Sequence, residues 1–326
     1  MLISRVAWLP GAVVFLLGVA VVVVDKLRPE VLLVGNVTID VVNGNRTLGG
    51  AVSYAAAVAE QYGKSACVVT AAGPDADLSI FERHRLKLVE DEATLTFQHS
   101  YTWWGHHRVL HVPSMPNVTL GLHHVPLWCM LSRIVLLGPL LPSDLDGHAF
   151  ARMLGFVRIF FKQDIGLMAQ GFQRDRDRSK KVVPLKAPHQ KLLDGLGAGV
   201  SVFLSDVETD PWPKADLNRV VNGSDRLVVT RGEHGADEYT REGVRTIPAA
   251  KVDSVEDTNG AGDTFATAFM FAVANGSLNP GKEAALAASR TVKKPQACKP
   301  WCVAQAKQAK DPIDLVTSNE STTCAR

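Results

Sequence analysis

The chain has 326 residues, 46% hydrophobic and 21% charged, with a formal net charge of +2. This balance suits a globular protein with a sizeable core and excludes an intrinsically disordered one. The small charge and the lack of a basic block interleaved with aromatics argue against a nucleic-acid partner, and the length allows one large α/β domain or two smaller ones.

From Val6 to Val24 the chain reads VAWLPGAVVFLLGVAVVVV without a charge. A helix needs about 20 apolar residues to cross a bilayer, so residues 1–28 read first as an apolar N-terminal helix, a membrane anchor or uncleaved signal associating with a membrane through residues 6–24. Arg5 precedes the run and Asp25, Lys26 and Arg28 follow it, a balance that fixes no orientation. A cleaved signal peptide is one rival, although no A-x-A-like site closes the run. An extended buried strand is another, because valines dominate the end of the run.

Beyond the leader, short apolar runs alternate with helical stretches. Val31 to Gly35, Ser65 to Gly73, Arg133 to Gly138, Asp164 to Gln170, Val200 to Ser205 and Arg226 to Thr230 read as strands. Ala51 to Tyr62, Pro142 to Phe160 and Trp212 to Val221 read as helices between them. The alternation predicts crossover units and a mostly parallel sheet covered on both faces, a three-layer αβα sandwich. Residues 29–297 form this domain and 298–326 a C-terminal tail, polar from Pro312, with Pro295 stopping the last helix.

Two segments, Val37 to Leu48 and Thr94 to Val112, carry Thr, Val, Tyr and Trp without helical spacing and read as strands of a small lid sheet. Trp103 and Trp104 either cover a substrate or fill the lid's own face or a homodimer contact. His106, His107 and His111 lack an acidic partner at ligand spacing and read as exposed lid histidines rather than metal ligands. Gln173 to Lys181 mixes charge signs and reads as a solvated loop. Cys67, Cys129, Cys298, Cys302 and Cys324 are odd in number and scattered, so all read as reduced thiols. Sequons at Asn36, Asn45, Asn117, Asn222, Asn275 and Asn319 hint at a lumenal fate.

The most informative stretch is DTNGAGDTF, Asp257 to Phe265, running into the apolar ATAFMFAVANG. Amides at a helix opening lack intrahelical partners, and the helix dipole adds partial positive charge, so the turn Gly260-Ala261-Gly262 suits a phosphate. Asp263 puts a carboxylate inside that anion-binding turn, which makes sense if it takes a proton from a hydroxyl that attacks the phosphate. The plainer reading is an acidic first turn that caps a helix. Gly63-Lys64-Ser65 lacks the first glycine of a P-loop, and Gly195 to Gly199 precedes a strand, the reverse of a dinucleotide-binding turn.

DTNGAGD resembles the C-terminal signature of the ribokinase-like (PfkB) carbohydrate kinases, nearest to inositol kinase-like and bacterial sugar kinase branches. VLLVGNVTID, LGGAVSYAAAVAEQYG, VFLSDVE and VVTRGEHGADEY resemble further family segments in the expected order. The resemblance implies a ribokinase-like fold with a β lid, an ATP-dependent kinase acting on a sugar, inositol-like polyol or nucleoside, and a catalytic domain on the cytosolic side where ATP is supplied. It assigns the base to Asp263 and the anion hole to Gly260, Ala261 and Gly262. Substrate contacts fall to Asp40, Gly49 and Gly50, and nucleotide contacts to Thr230, Arg231, Gly232 and Asn259. Glu208 would orient magnesium, and Asp257 would hold a monovalent cation or merely cap its loop. Gln170 and Arg174 are further candidates near a strand end.

Two positions depart from the family pattern. Tyr54 stands where an Asn is common, pointing to a cyclic polyol or nucleoside-like substrate. Ser205 replaces another Asn and removes one support of Glu208. These departures motivate the alternatives: a ligand-binding relative without catalysis, or a membrane-tethered scaffold.

Overall fold

The computed structural model describes residues 27–293 except Asn43, 102–107 and 158–160. The apolar leader, Trp103, Trp104, His106, His107, Cys298, Cys302, Cys324 and the tail lie outside the described residues, and with them the anchor and signal readings. Among the described residues no helix is long and apolar enough to cross a membrane. Arg28, grouped with the leader by composition, belongs to the domain: it is buried, and its guanidinium donates to the Lys162 carbonyl at 2.9 Å.

In chain order the first elements are β1 (Val31–Val34), β2 (Thr38–Val42), β3 (Asn45–Gly49), α1 (Ala51–Gln61), β4 (Ala66–Ala72), β5 (Arg85–Glu90), β6 (Leu95–Tyr101), β7 (Arg108–Ser114) and β8 (Ile134–Leu137). Then come α2 (Gly147–Val157), β9 (Asp164–Met168), β10 (Arg174–Arg176), β11 (Val182–Pro184), α3 (Gln190–Asp194), β12 (Val200–Ser205) and α4 (Asp206–Thr209). The chain continues through α5 (Lys214–Gly223), β13 (Arg226–Thr230), β14 (Ala236–Thr240), β15 (Gly243–Ile247), α6 (Ala261–Ala274) and α7 (Pro280–Val292).

Nine strands form the main sheet in the order β15-β14-β13-β12-β9-β8-β1-β4-β5, antiparallel only at β14 and β15. The run VLLV of β1 explains its central place. Paired in parallel on both sides, β1 sends Val31 and Leu33 into one core and Leu32 and Val34 into the other. A strand buried on both faces needs an apolar residue at every position, and this one has it. Helix α6 is apolar all round because it lies under α7 rather than at the surface; every residue from Thr264 to Ala272 is buried.

The two predicted lid segments form one four-stranded sheet, ordered β3-β2-β6-β7. Its register puts Asp40 beside Phe97, and His99 beside Val42 and Leu110. With a side-chain period of two, Thr38, Asp40, Phe97, His99 and Leu110 share one face. That face is turned onto the cleft described below.

Three expectations are corrected. The charged stretch Gln173 to Lys181 is exposed from Asp175 to Lys180, but it is not a simple loop. Gln173 ends a 3-10 turn, Arg174–Arg176 form β10, and the rest is the turn before β11; the Val112 N–H joins this hairpin to the lid by donating to the Lys180 carbonyl at 3.0 Å. The Asn36 sequon is fully buried, and its side-chain oxygen accepts the Ala71 N–H at 3.3 Å, so it cannot take a glycan. Cys67 and Cys129 are not reduced thiols but a disulfide that links β4 to the segment before β8 across 62 residues.

Closing a loop of that length contributes about 4 kcal/mol in the chain-entropy account. Alkylation of the denatured, unreduced protein is expected to leave Cys67 and Cys129 unlabelled in peptide maps, and prior reduction to expose both and lower the urea midpoint. Full labelling without reductant would contradict the pairing.

Candidate active site

Strand order reverses at β1: the chain goes next to β4 and β5 on one side, then returns to β8 on the other. Open α/β sheets bind ligands in the crevice beyond the strand ends at such a point. The cleft found here, about 80 Å³, is lined by Asp40 and His99 of the lid, Gly50 and Tyr54 of α1, Leu140 after β8, Gln170 and Arg174 after β9, and Asn259, Gly260 and Asp263 at the start of α6.

Asp263 is in the first turn of α6, half-buried. Gln170 Nε2 donates to its Oδ1 at 3.2 Å, and Arg174 in turn donates to Gln170 Oε1 at 3.1 Å. Burial pushes the Asp263 carboxyl up to about 6; Arg174 opposes the shift, while the charges of Asp40 and Glu208 add to it. A carboxylate raised towards neutrality is a better proton acceptor than an ordinary aspartate.

Gly260 turns the chain into α6 with φ +72°, a left-handed conformation, and a Cβ there would meet the Tyr54 ring at 2.1 Å. Two demands, sign of φ and room for the ring, fall on one residue, and only glycine meets both. Tyr54 is therefore more than an absent asparagine: its buried ring, 3% exposed, sets the wall against which the signature turn is shaped.

The amides of the turn into α6 are not equally free. The Ala261 N–H donates to the Thr258 carbonyl at 3.2 Å, so its amide is taken. Helical geometry leaves the first-turn amides of Gly262 and Asp263 without intrahelical acceptors and open to an anion. Asp257 Oδ1 accepts the Asn259 N–H at 3.1 Å, which is the loop-capping arrangement.

On the lid side, Asp40 Oδ1 accepts the Thr38 hydroxyl at 3.1 Å. A Cβ on Gly49 would stand 2.5 Å from Asp40 Oδ2, so the first glycine of the pair makes room for this carboxylate, while Gly50 caps α1. Glu208 lies beyond β12, where Oε2 accepts both the Ser205 N–H at 2.8 Å and the Ser205 hydroxyl at 2.5 Å. Ser205 thus supports Glu208 rather than weakening it. Thr230 is beside Ser205 in the sheet register. Arg231 is turned aside: its Nε donates to Asp237 Oδ2 at 2.9 Å and its guanidinium to Tyr239 Oη at 3.3 Å. Gly232 follows, with positive φ.

Residues not singled out from the sequence also shape the cleft. Asp144 is buried after β8, and its Oδ2 accepts the N–H groups of Leu140 (2.9 Å) and Leu141 (3.0 Å). Burial raises its carboxyl to about 6, against the pull of those two amides, Asn36 and Arg174. The loop it ties down holds Arg174 through the Leu140 carbonyl at 3.3 Å. Arg174 also lies over the Phe97 ring, 5.6 Å from its centroid. No sequence motif marks Asp144, since its role depends on a turn made only in the folded chain.

Residues 211–301 match the model of the pfkB family carbohydrate kinases. The fold is ribokinase-like. A pyrophosphate-dependent kinase in the ribokinase family superposes with a TM-score of 0.64 at 19% identity, over 82% of this chain and 96% of that one. Arabidopsis thaliana ribokinase, complexed with ribose and ATP, gives 0.61 at 18% identity over 86% and 99%. Methanocaldococcus jannaschii nucleoside kinase gives 0.59 at 18% over 83% and 94%. No curated protein sequence matches.

The raised Asp263 carboxyl makes a stability prediction. Its folded value lies above the ordinary one, so its contribution to stability is fully present below the ordinary carboxylate range and is lost as pH rises through about 6. Asp263→Asn is expected to raise the melting temperature at neutral pH and to leave it unchanged in acid. A variant destabilised at neutral pH would show that the charge is not strained.

Proposed function

We propose that the protein is an ATP-dependent phosphotransferase that acts on an alcohol group of a small sugar, inositol-like polyol or nucleoside. The observation that carries this reading is the Asp263 carboxylate, held by Gln170 at 3.2 Å in the first turn of a buried helix and opening on a cleft that also contains Asp40.

The acceptor would rest against the lid with a hydroxyl on Asp40, an acceptor-only group when ionised. A second hydroxyl would point at the Asp263 oxygen. As the bond to phosphorus forms, that hydroxyl becomes strongly acidic, and Asp263 takes its proton. The amides of Gly262 and Asp263, aided by the helix dipole, meet the charge on the transferring group. Asp40 and Asp263 together disfavour an acceptor that already carries negative charge.

Magnesium in such sites is held chiefly by donor phosphates with one or two carboxylates, not by a protein cage. Among the described residues no group of three His, Cys, Asp or Glu side chains could hold a metal alone. Glu208, within electrostatic reach of Asp263, fits the lesser part of reaching the ion through water. The ion, when bound, neutralises charge on the donor. Thr230, Gly232 and Asn259 would meet the donor, Asn259 from the wall of the cleft and the other two from the end of β13 and the turn after it. Arg231 is committed to Asp237, so the donor's phosphates rely on amides more than on that cation.

Similar structures include both an ATP complex and pyrophosphate-dependent kinases, so the assay covers both donors. With myo-inositol, ribose, inosine and related acceptors, ATP is expected to yield ADP and a phosphorylated product. Asp263→Asn is expected to lose ~10²-fold or more in kcat, and kcat/KM to rise with pH through about 6 as Asp263 ionises. Equal turnover in Asp263→Asn would remove this residue from the mechanism, and product formation from pyrophosphate alone would replace the donor.

A further inference from the structure

His99 lies on β6 at the edge of the cleft and is 7% exposed. Neither ring nitrogen has a hydrogen-bond partner among the described residues. A buried polar group left without a partner is costly, and structural histidines usually have one. His84, the other deeply buried histidine, has one nitrogen satisfied, its Nδ1 accepting the Ala66 N–H at 3.0 Å, and its Nε2 stands 3.5 Å from Glu60 Oε1. The His99 Nε2 stands 3.8 Å from Asp40 Oδ1, beyond the reach of a direct hydrogen bond. Phe97 and Leu110 share its lid face.

We propose that His99 is a specificity-determining residue that, with Asp40, grips adjacent hydroxyls of an uncharged acceptor; the proposal rests on the phosphotransferase reading above. A hydroxyl lodged between the two side chains donates to the Asp40 carboxylate and accepts from the imidazole N–H. The second ring nitrogen of a neutral imidazole accepts from the next hydroxyl. Phe97 and Leu110 offer an apolar surface to the C–H face of a ring. This selects a cyclic acceptor with neighbouring free hydroxyls, such as an inositol, a cyclic sugar or the ribose of a nucleoside, over a deoxygenated or an anionic one.

The test compares wild type with His99→Ala and His99→Asn on paired acceptors: ribose and deoxyribose, inosine and deoxyinosine, myo-inositol and its monodeoxy forms. Wild type is expected to discriminate against one deoxy partner by ~10-fold or more in kcat/KM, the worth of one or two hydrogen bonds. In His99→Ala that discrimination should collapse to about unity. The acceptor KM should rise ~10-fold or more, while the donor KM and kcat stay within about twofold. His99→Asn, which keeps an N–H donor, should recover part of the loss and serves as the folded variant should alanine destabilise the lid. An active wild type whose His99 variants keep full discrimination and an unchanged acceptor KM would overturn the proposal alone. A wild type that phosphorylates none of these acceptors would overturn the phosphotransferase reading beneath it.

Discussion

The central constraint in this molecule is a desolvated carboxylate at the mouth of a buried helix. Asp263 gains from the positive end of α6 but loses hydration and faces two further acidic groups, Asp40 and Glu208. The loss wins, so the carboxyl is held towards neutrality. Only a scaffold stabilised elsewhere can hold such a group in place, which is what the proposed role of proton acceptor would need.

The scaffold supplies that rigidity by layers. Helix α6 cannot shift because it is apolar on every side and packed between the sheet and α7. Its entry cannot shift because Gly260 is pressed against the Tyr54 ring. From the other side, Asp144 ties the loop after β8, that loop holds Arg174, and Arg174 orients Gln170 towards Asp263. Each link places a side chain through another whose own position is fixed by burial. The lid brings Asp40 of β2 and His99 of β6 to the same cleft by simple alternation along two strands.

Much of this is legible in the chain. Apolar runs such as VLLV declare doubly buried parallel strands, and the alternation with helices declares the crossovers. Signature residues such as Asp263 declare themselves because a carboxylate in a glycine-rich helix opening is chemically odd. What escaped the reading depends on pairings between distant parts. Cys67 and Cys129 meet only once β4 and the segment before β8 flank β1. Arg231 looked like a phosphate ligand until the antiparallel turn into β14 set Asp237 beside it. Ser205 looked like a lost support until helix α4 brought the Glu208 carboxylate back over it. His99 was hidden behind the more conspicuous histidines of the same lid, although Phe97 two residues earlier marks its face.

A structure of the protein bound to an acceptor and an unreactive donor analogue tests the central claim most directly. The account predicts an acceptor hydroxyl within hydrogen-bond reach, about 3 Å, of an Asp263 carboxylate oxygen and in line with the donor's terminal phosphate. An acceptor bound elsewhere, or one whose reacting hydroxyl faces water with Asp263 still closed off by Gln170, would contradict it.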